Sequence, residues 1–155
     1  VHLKGWNSEA GSFTQVYGSE SLDSSLLLME EYGFIEANDP KYISTVKAIK
    51  RELFMDELMY RYKNRDDFGI PKSAFTICTF WLIRALYVTG EREEARTILE
   101  QILKYSNHLG LLSEDLDFET KRQLGNFPQA YSHLALVNTI KLFSEEKERS
   151  KFIRP

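Results

Sequence analysis

The feature that most constrains this chain is an alternation between two kinds of helical pattern. Over residues 91 to 105, Ala95, Ile98, Leu99, Ile102 and Leu103 form one apolar stripe, with Glu94, Arg96, Glu100 and Lys104 outside it. Glu100 and Lys104 are spaced to pair across one turn. Asp39-Pro40 reads as an N-cap followed by proline at the first helical position. After it, Tyr42, Ile43, Val46, Ile49 and Leu53 recur at helical spacing. These two helices are half exposed. Three other stretches are apolar on far more than one face: residues 22 to 32 ("LDSSLLLMEEY"), 73 to 89 ("SAFTICTFWLIRALYVT") and 128 to 143 ("PQAYSHLALVNTIKLF"). A helix that is apolar nearly all round is buried nearly all round. Gly33 and Gly90 fall where C-terminal glycines belong. The order is therefore buried, amphipathic, buried, amphipathic, buried: an inner layer wrapped by an outer one.

Two architectures fit that order, an α-solenoid and an α/α toroid whose inner helices ring a funnel. No strand pair with hairpin punctuation competes with them. The loops separate the two. The inner-to-outer connection Thr89-Gly90-Glu91 is tight, whereas Phe54 to Ser73 and Ser106 to Phe127 are long. Loops well above a dozen residues in a compact domain are usually functional. Both long loops lead into inner-helix N-termini, which carry partial positive charge and free N–H groups. A pocket is expected there. The chain divides into an irregular entry segment (1–20), a helical body (21–144) and a charged tail (145–155).

Composition closes off several function classes. Across 155 residues, 43% apolar content is ample for a core, and 20 Lys plus Arg against 23 Asp plus Glu leaves a net charge of −3. Nothing in that balance argues for nucleic acid. The single cysteine, Cys78, fits a reducing, cytoplasmic compartment, and its setting in "FTICTFWLIRALYV" reads as a buried inert thiol. That run contains Arg84 and falls short of the ~18–20 apolar residues of a membrane span. His2, His108 and His133 show no paired metal-ligand spacing, and there is no phosphate-cradling glycine motif or nucleophile elbow. In "DLDFET", Thr120 stands where a calcium loop needs glycine. No metal or cofactor is expected. The chain starts at Val1 rather than methionine, so a longer native polypeptide is expected.

The stretch "LLSEDLDFETKRQLGNFPQAYSHLALV" holds the polar exception. Gln129, Ser132 and His133 share a helix face with Leu136, Ile140 and Phe143. Two readings of that face stand: it looks into a pocket mouth, or it hydrogen-bonds the preceding loop and holds it in place. The long loops mix charge with aromatic rings: Tyr60, Arg61, Tyr62, Asp66, Asp67, Phe68 and Phe75 in one, Glu114, Asp115, Asp117 and Glu119 in the other. Sugar sites are built from such parts, although composition alone favours a solvated acidic loop over a catalytic one.

The series "GSFTQVYGSESLDSSLLLMEEYGFIEANDPKYISTVKAIKREL", "YRYKNRDDFG", "FTICTFWLIRALYVTGEREEA" and "NHLGLLSEDLDFETKRQLGNFPQAYSHLAL" resembles the C-terminal part of glycoside hydrolase family 15. The branch it most resembles is the prokaryotic glucoamylase and trehalase-like enzymes, over about Gly5 to Phe143. The resemblance implies an all-α fold, a partial (α/α)6 barrel with about five helices present. It also implies hydrolysis of α-glucosidic bonds with inversion. Inversion needs an acid and a base carboxyl about 6.5–9.5 Å apart. The family's base, in a motif that "LLSED" resembles, maps onto Glu114. Arg61, in "YRY", looks like the family's substrate-binding arginine. Phe75 or Trp81 would supply an aromatic wall, Trp81 reading equally as core, and Asp23 caps its helix or touches sugar. Gln129, Ser132 and His133 would brace the Glu114 loop and line the funnel floor, with Gln129 beside the substrate.

One departure matters. The family's general acid is a glutamate directly after a tryptophan, and here Trp6 is followed by Asn7 and Trp81 by Leu82. The acid is expected to lie outside the chain. A half-ring of inner helices also leaves apolar edges, to be covered by the missing part or by a second copy. The isolated chain is therefore expected to be inactive, or nearly so, and to associate. The rival reading is a non-enzymatic helical scaffold or an inactive remnant, and the identity of the α-glucoside is open.

Overall fold

The computed structural model describes residues 2–67 and 69–152, with side chains described as far as Ser144. Four α-helices dominate it. Helix α1 (Pro40–Leu53) starts at Asp39, whose carboxylate accepts the Lys41 N–H at 2.8 Å. It buries Tyr42, Thr45, Val46, Ala48, Ile49 and Leu53. Helix α2 (Thr76–Val88) is the hub, packing on α1, on α3 (Arg92–Leu103) and on α4 (Ala130–Phe152). Cys78, Phe80, Leu82, Ile83 and Ala85 are buried around most of its circumference. Each large aliphatic side chain buried this way contributes about 1.5–3 kcal/mol. Helix α3 buries Ala95, Ile98, Leu99 and Ile102, the stripe expected of it. Lys104, expected to pair with Glu100, instead donates to Gln101 Oε1 at 2.8 Å. Among the described residues no helix is long and apolar enough to cross a membrane.

Two expected helices differ. Within residues 22 to 32 the regular part is a six-residue 3-10 helix, Ser24–Met29. Its first residue is tied elsewhere: Ser24 N donates to Arg61 O at 2.8 Å and Ser24 Oγ to Tyr60 O at 2.6 Å. Side-chain and backbone bonds of that kind compete with α-helical geometry. Helix α4 is not buried all round. Leu134, Val137 and Ile140 are 65%, 62% and 41% exposed.

The long connections and the entry segment fold into small sheets that the helical pattern hides. In the opening segment β1 (Trp6–Asn7) pairs with β2 (Ser12–Phe13). Phe13 enters the core at 2% exposure, and its N–H donates to Thr45 Oγ1 on α1 at 3.0 Å. After α1, β3 (Phe54–Met55) and β4 (Leu58–Met59) make a hairpin. Its turn residues Asp56 and Glu57 both have positive φ, 48° and 69°. Such a turn normally takes Asn-Gly or Asp-Gly. Here Lys121 Nζ donates to Asp56 O at 2.7 Å, and the Tyr105 hydroxyl donates to Glu57 Oε2. The third sheet decides the site. Strand β5 (Ser73–Phe75) pairs antiparallel with β6 (Asp115–Asp117), which pairs with β7 (Gln123–Leu124). The two long loops thus become one sheet laid against the start of α2.

Candidate active site

Glu114 lies at the head of β6, and both its backbone groups are committed. Its carbonyl accepts the Thr76 N–H at 2.9 Å, satisfying a free donor at the α2 N-terminus. Its own N–H donates to Asn126 O at 2.9 Å. Next to it, Ala74 and Leu116 face each other with no exposed surface. The sheet therefore fixes where the Glu114 side chain departs from the backbone.

Three donors then fix the carboxylate. Asn126 gives its backbone N–H and its side-chain amide to Oε2 at 3.0 and 2.9 Å. The Tyr131 hydroxyl donates a hydrogen bond to Oε1 at 2.5 Å. The Tyr131 and Asn126 bonds hold the carboxyl below the usual glutamate range, with a small further contribution from the Gln129 side chain. The partner effect falls on Tyr131, whose hydroxyl is pushed up by burial and by its bond to Glu114. Glu114 is thus ionised at neutral pH and oriented. Its neighbour Asp115 is the opposite case: burial raises its carboxyl above the usual range despite a 2.6 Å bond from Ser73 Oγ.

Helix α4 braces this loop through the polar residues at its start. Ser132, fully buried, donates to Ser113 O at 3.0 Å. Gln129 N donates to Leu112 O at 3.0 Å, and Leu112 N reaches His133 Nε2 at 3.3 Å. His133 Nδ1 lies 2.7 Å from Gln129 O, so this arrangement has the proton on Nδ1 and leaves Nε2 as acceptor. Of the two readings of that helix face, the bracing one describes these bonds.

The expected site residues fall into two groups. Glu114, Gln129 and Phe75 come together around Tyr131, with the Phe75 ring edge-on to Tyr131 at 5.7 Å. Arg61 belongs to the second group. Its Nε donates to Asp23 Oδ1 at 2.7 Å, and its guanidinium lies 5.6 Å from the centre of the Trp81 ring. Asp23 is 4% exposed and also accepts Ser25 N at 2.7 Å, which makes it both the cap of the 3-10 helix and the anchor of Arg61. Trp81 and Tyr131 line one cleft of about 240 Å³ between α2, α4 and the 3-10 helix, a side chain from each group. Cys78 is fully buried, and burial pushes its thiol far up, leaving no nucleophile there. Sequence reasoning missed Tyr131, Asn126 and Gly125. Nothing in the sequence pattern ties Asn126 to a glutamate twelve positions earlier.

Solved structures share this helix-rich fold. A wild-type glycosidase superposes with a TM-score of 0.74 at 21% identity, covering 92% of this chain and 41% of that one. A glycosidase variant in complex with glucose gives 0.75 at 20% identity over the same shares. The model for "Glycosyl hydrolases family 15" matches residues 2–141, and the chain belongs to that family. Similar curated proteins are trehalases: 43% identity over 88% of this chain for one from Thermoplasma acidophilum, and 44% over 84% for one from Mycobacterium tuberculosis. The chain covers 24% and 20% of those proteins, about a quarter of their length or less.

Proposed function

We propose that these residues are the base-bearing, C-terminal part of an inverting α-glycosidase that acts on trehalose or a related α-glucoside. The observation that carries the reading is the Glu114 carboxylate, held ionised by Tyr131 and Asn126. A general base must be unprotonated at working pH and held within reach of its water; the lowered carboxyl supports the first demand, and the bonds that orient it support the second. Arg61, braced by Asp23, would clamp hydroxyls of the non-reducing glucose, while Phe75 and Gln129 would flank the same sugar. The acid that protonates the departing oxygen would come from outside these 155 residues. The body spanning 21–144 would then be the last part of an (α/α)6 barrel working in a reducing cytoplasm. That the similar curated proteins are named trehalases supports trehalose as the substrate over longer glucans.

The decisive substitution is Glu114→Gln in the active protein that contains these residues. Turnover of trehalose should fall by roughly 10²–10⁴-fold, the range for loss of a general base, while the far-UV spectrum stays unchanged. Retention of full turnover would overturn the assignment. The 155-residue chain alone should release no glucose.

A further inference from the structure

The two oxygens of Glu114 are not equivalent. Oε2 accepts two bonds from Asn126, at 3.0 and 2.9 Å. Oε1 accepts one from a side-chain hydroxyl, that of Tyr131 at 2.5 Å. A carboxylate offers about two lone-pair sites per oxygen. Those on Oε2 are both taken by Asn126, whereas the bond fixed on Oε1 is the Tyr131 hydroxyl's, with the Gln129 side chain close to the same carboxylate. The Oε2 side is also shut by backbone: a Cβ on Gly125 would stand 2.8 Å from Oε2.

We infer that Oε1 is the oxygen that receives the proton of the attacking water, and that Tyr131 is the positioning residue that holds it for that task. The inference rests on the reading of Glu114 as general base. In the step, a water O–H bond breaks and its proton goes to Oε1. The oxygen's electron pair forms the new bond to the anomeric carbon. The glycosidic C–O bond breaks, its pair stays on the departing oxygen, and a carboxylic acid outside these residues protonates that oxygen. The Tyr131 bond lowers the proton affinity of Oε1, and in exchange it fixes the plane of the carboxylate. Phe75, edge-on at 5.7 Å, fixes the Tyr131 ring in turn.

Tyr131→Phe removes the hydroxyl and keeps the ring against Phe75. Two readouts test it: the Glu114 carboxyl titration by 13C NMR in the 155-residue chain, and the kcat–pH profile of the active protein containing these residues. The titration should move up, and the acidic limb of kcat should follow it. The pH-independent kcat should fall roughly tenfold with KM within about twofold, as loss of orientation alone predicts. Asn126→Ala should also move the titration up but lower the plateau less, because its bond is to the other oxygen. An unchanged titration and plateau in Tyr131→Phe, or a larger fall for Asn126→Ala, would overturn the assignment of Oε1. Glu114→Gln separates this from the parent reading: if it keeps turnover, the base assignment itself has failed.

Discussion

Gly125 and Glu114 are in closer contact than any side chain at position 125 would allow. A Cβ there would meet Glu114 Oε2 at 2.8 Å and Glu114 Cβ at 3.1 Å, and the Gly125 backbone has φ 72°. Gly125→Ala therefore meets both a left-handed backbone and a crowded carboxylate. It should destabilise the chain by about 1–2 kcal/mol in urea denaturation. Equal stability to wild type would show that the turn can move away from Glu114.

Ser132 ties α4 to the loop before Glu114. Its hydroxyl is fully buried and donates to the Ser113 carbonyl at 3.0 Å. Ser132→Ala leaves that carbonyl without this donor, at a cost of about 1–2 kcal/mol. For a domain of this size the melting temperature should drop by about 2–8 °C in a thermal scan.

Asp115 makes stability depend on pH in a direction that can be checked. Burial raises its carboxyl in the folded state, so above the ordinary Asp value of about 3.9 the native form keeps a proton that the unfolded chain has lost. Stability then falls as pH rises through that window. Asp115→Asn should flatten this part of the urea-midpoint curve and leave the variant relatively more stable above it. Glu114, with its carboxyl lowered, acts oppositely below about 4.3, its stabilisation being lost as pH falls.

The exposed face of α4 predicts association. Leu134 and Val137 are more than half exposed on one helix face, with Ile140 a turn beyond. Apolar faces of this kind are usually covered by another surface. The 155-residue chain should run larger than a monomer in sedimentation at micromolar concentration. Leu134→Lys with Val137→Lys should return it toward the monomer, and a wild-type monomer at all concentrations would refute the prediction.

The helices were legible because their signals are local. Asp39-Pro40 fixed the start of α1, and the 3.6-residue stripe of Ala95, Ile98, Leu99 and Ile102 marked the buried side of α3. The strands were not, because each is two or three residues long, and β5 pairs with a segment some forty positions away. Asp115-Leu116-Asp117 does alternate polar and apolar, but three residues are too few to separate from chance. The turn at Asp56-Glu57 lacked the glycine that normally announces it, since Lys121 and Tyr105 hold it from outside. At the site, Glu114 was reached through resemblance. Its environment was not, because Tyr131 lies between the singled-out residues Gln129 and Ser132 and belongs to no sequence pattern, although its hydroxyl donates to Oε1.

The pairing of β5 with β6 also bears on the order in which the molecule assembles. The Ser73–Asp115 bond joins positions 42 apart, with α2 and α3 lying between them. Closing so long a stretch has an entropic cost that nearby contacts do not incur. The two helices can dock on each other before the sheet closes, so the strand adjoining Glu114 should be among the last pieces to become protected from hydrogen exchange during refolding. Ordering of the Glu114 carboxylate would then report completion of the fold rather than collapse of the core.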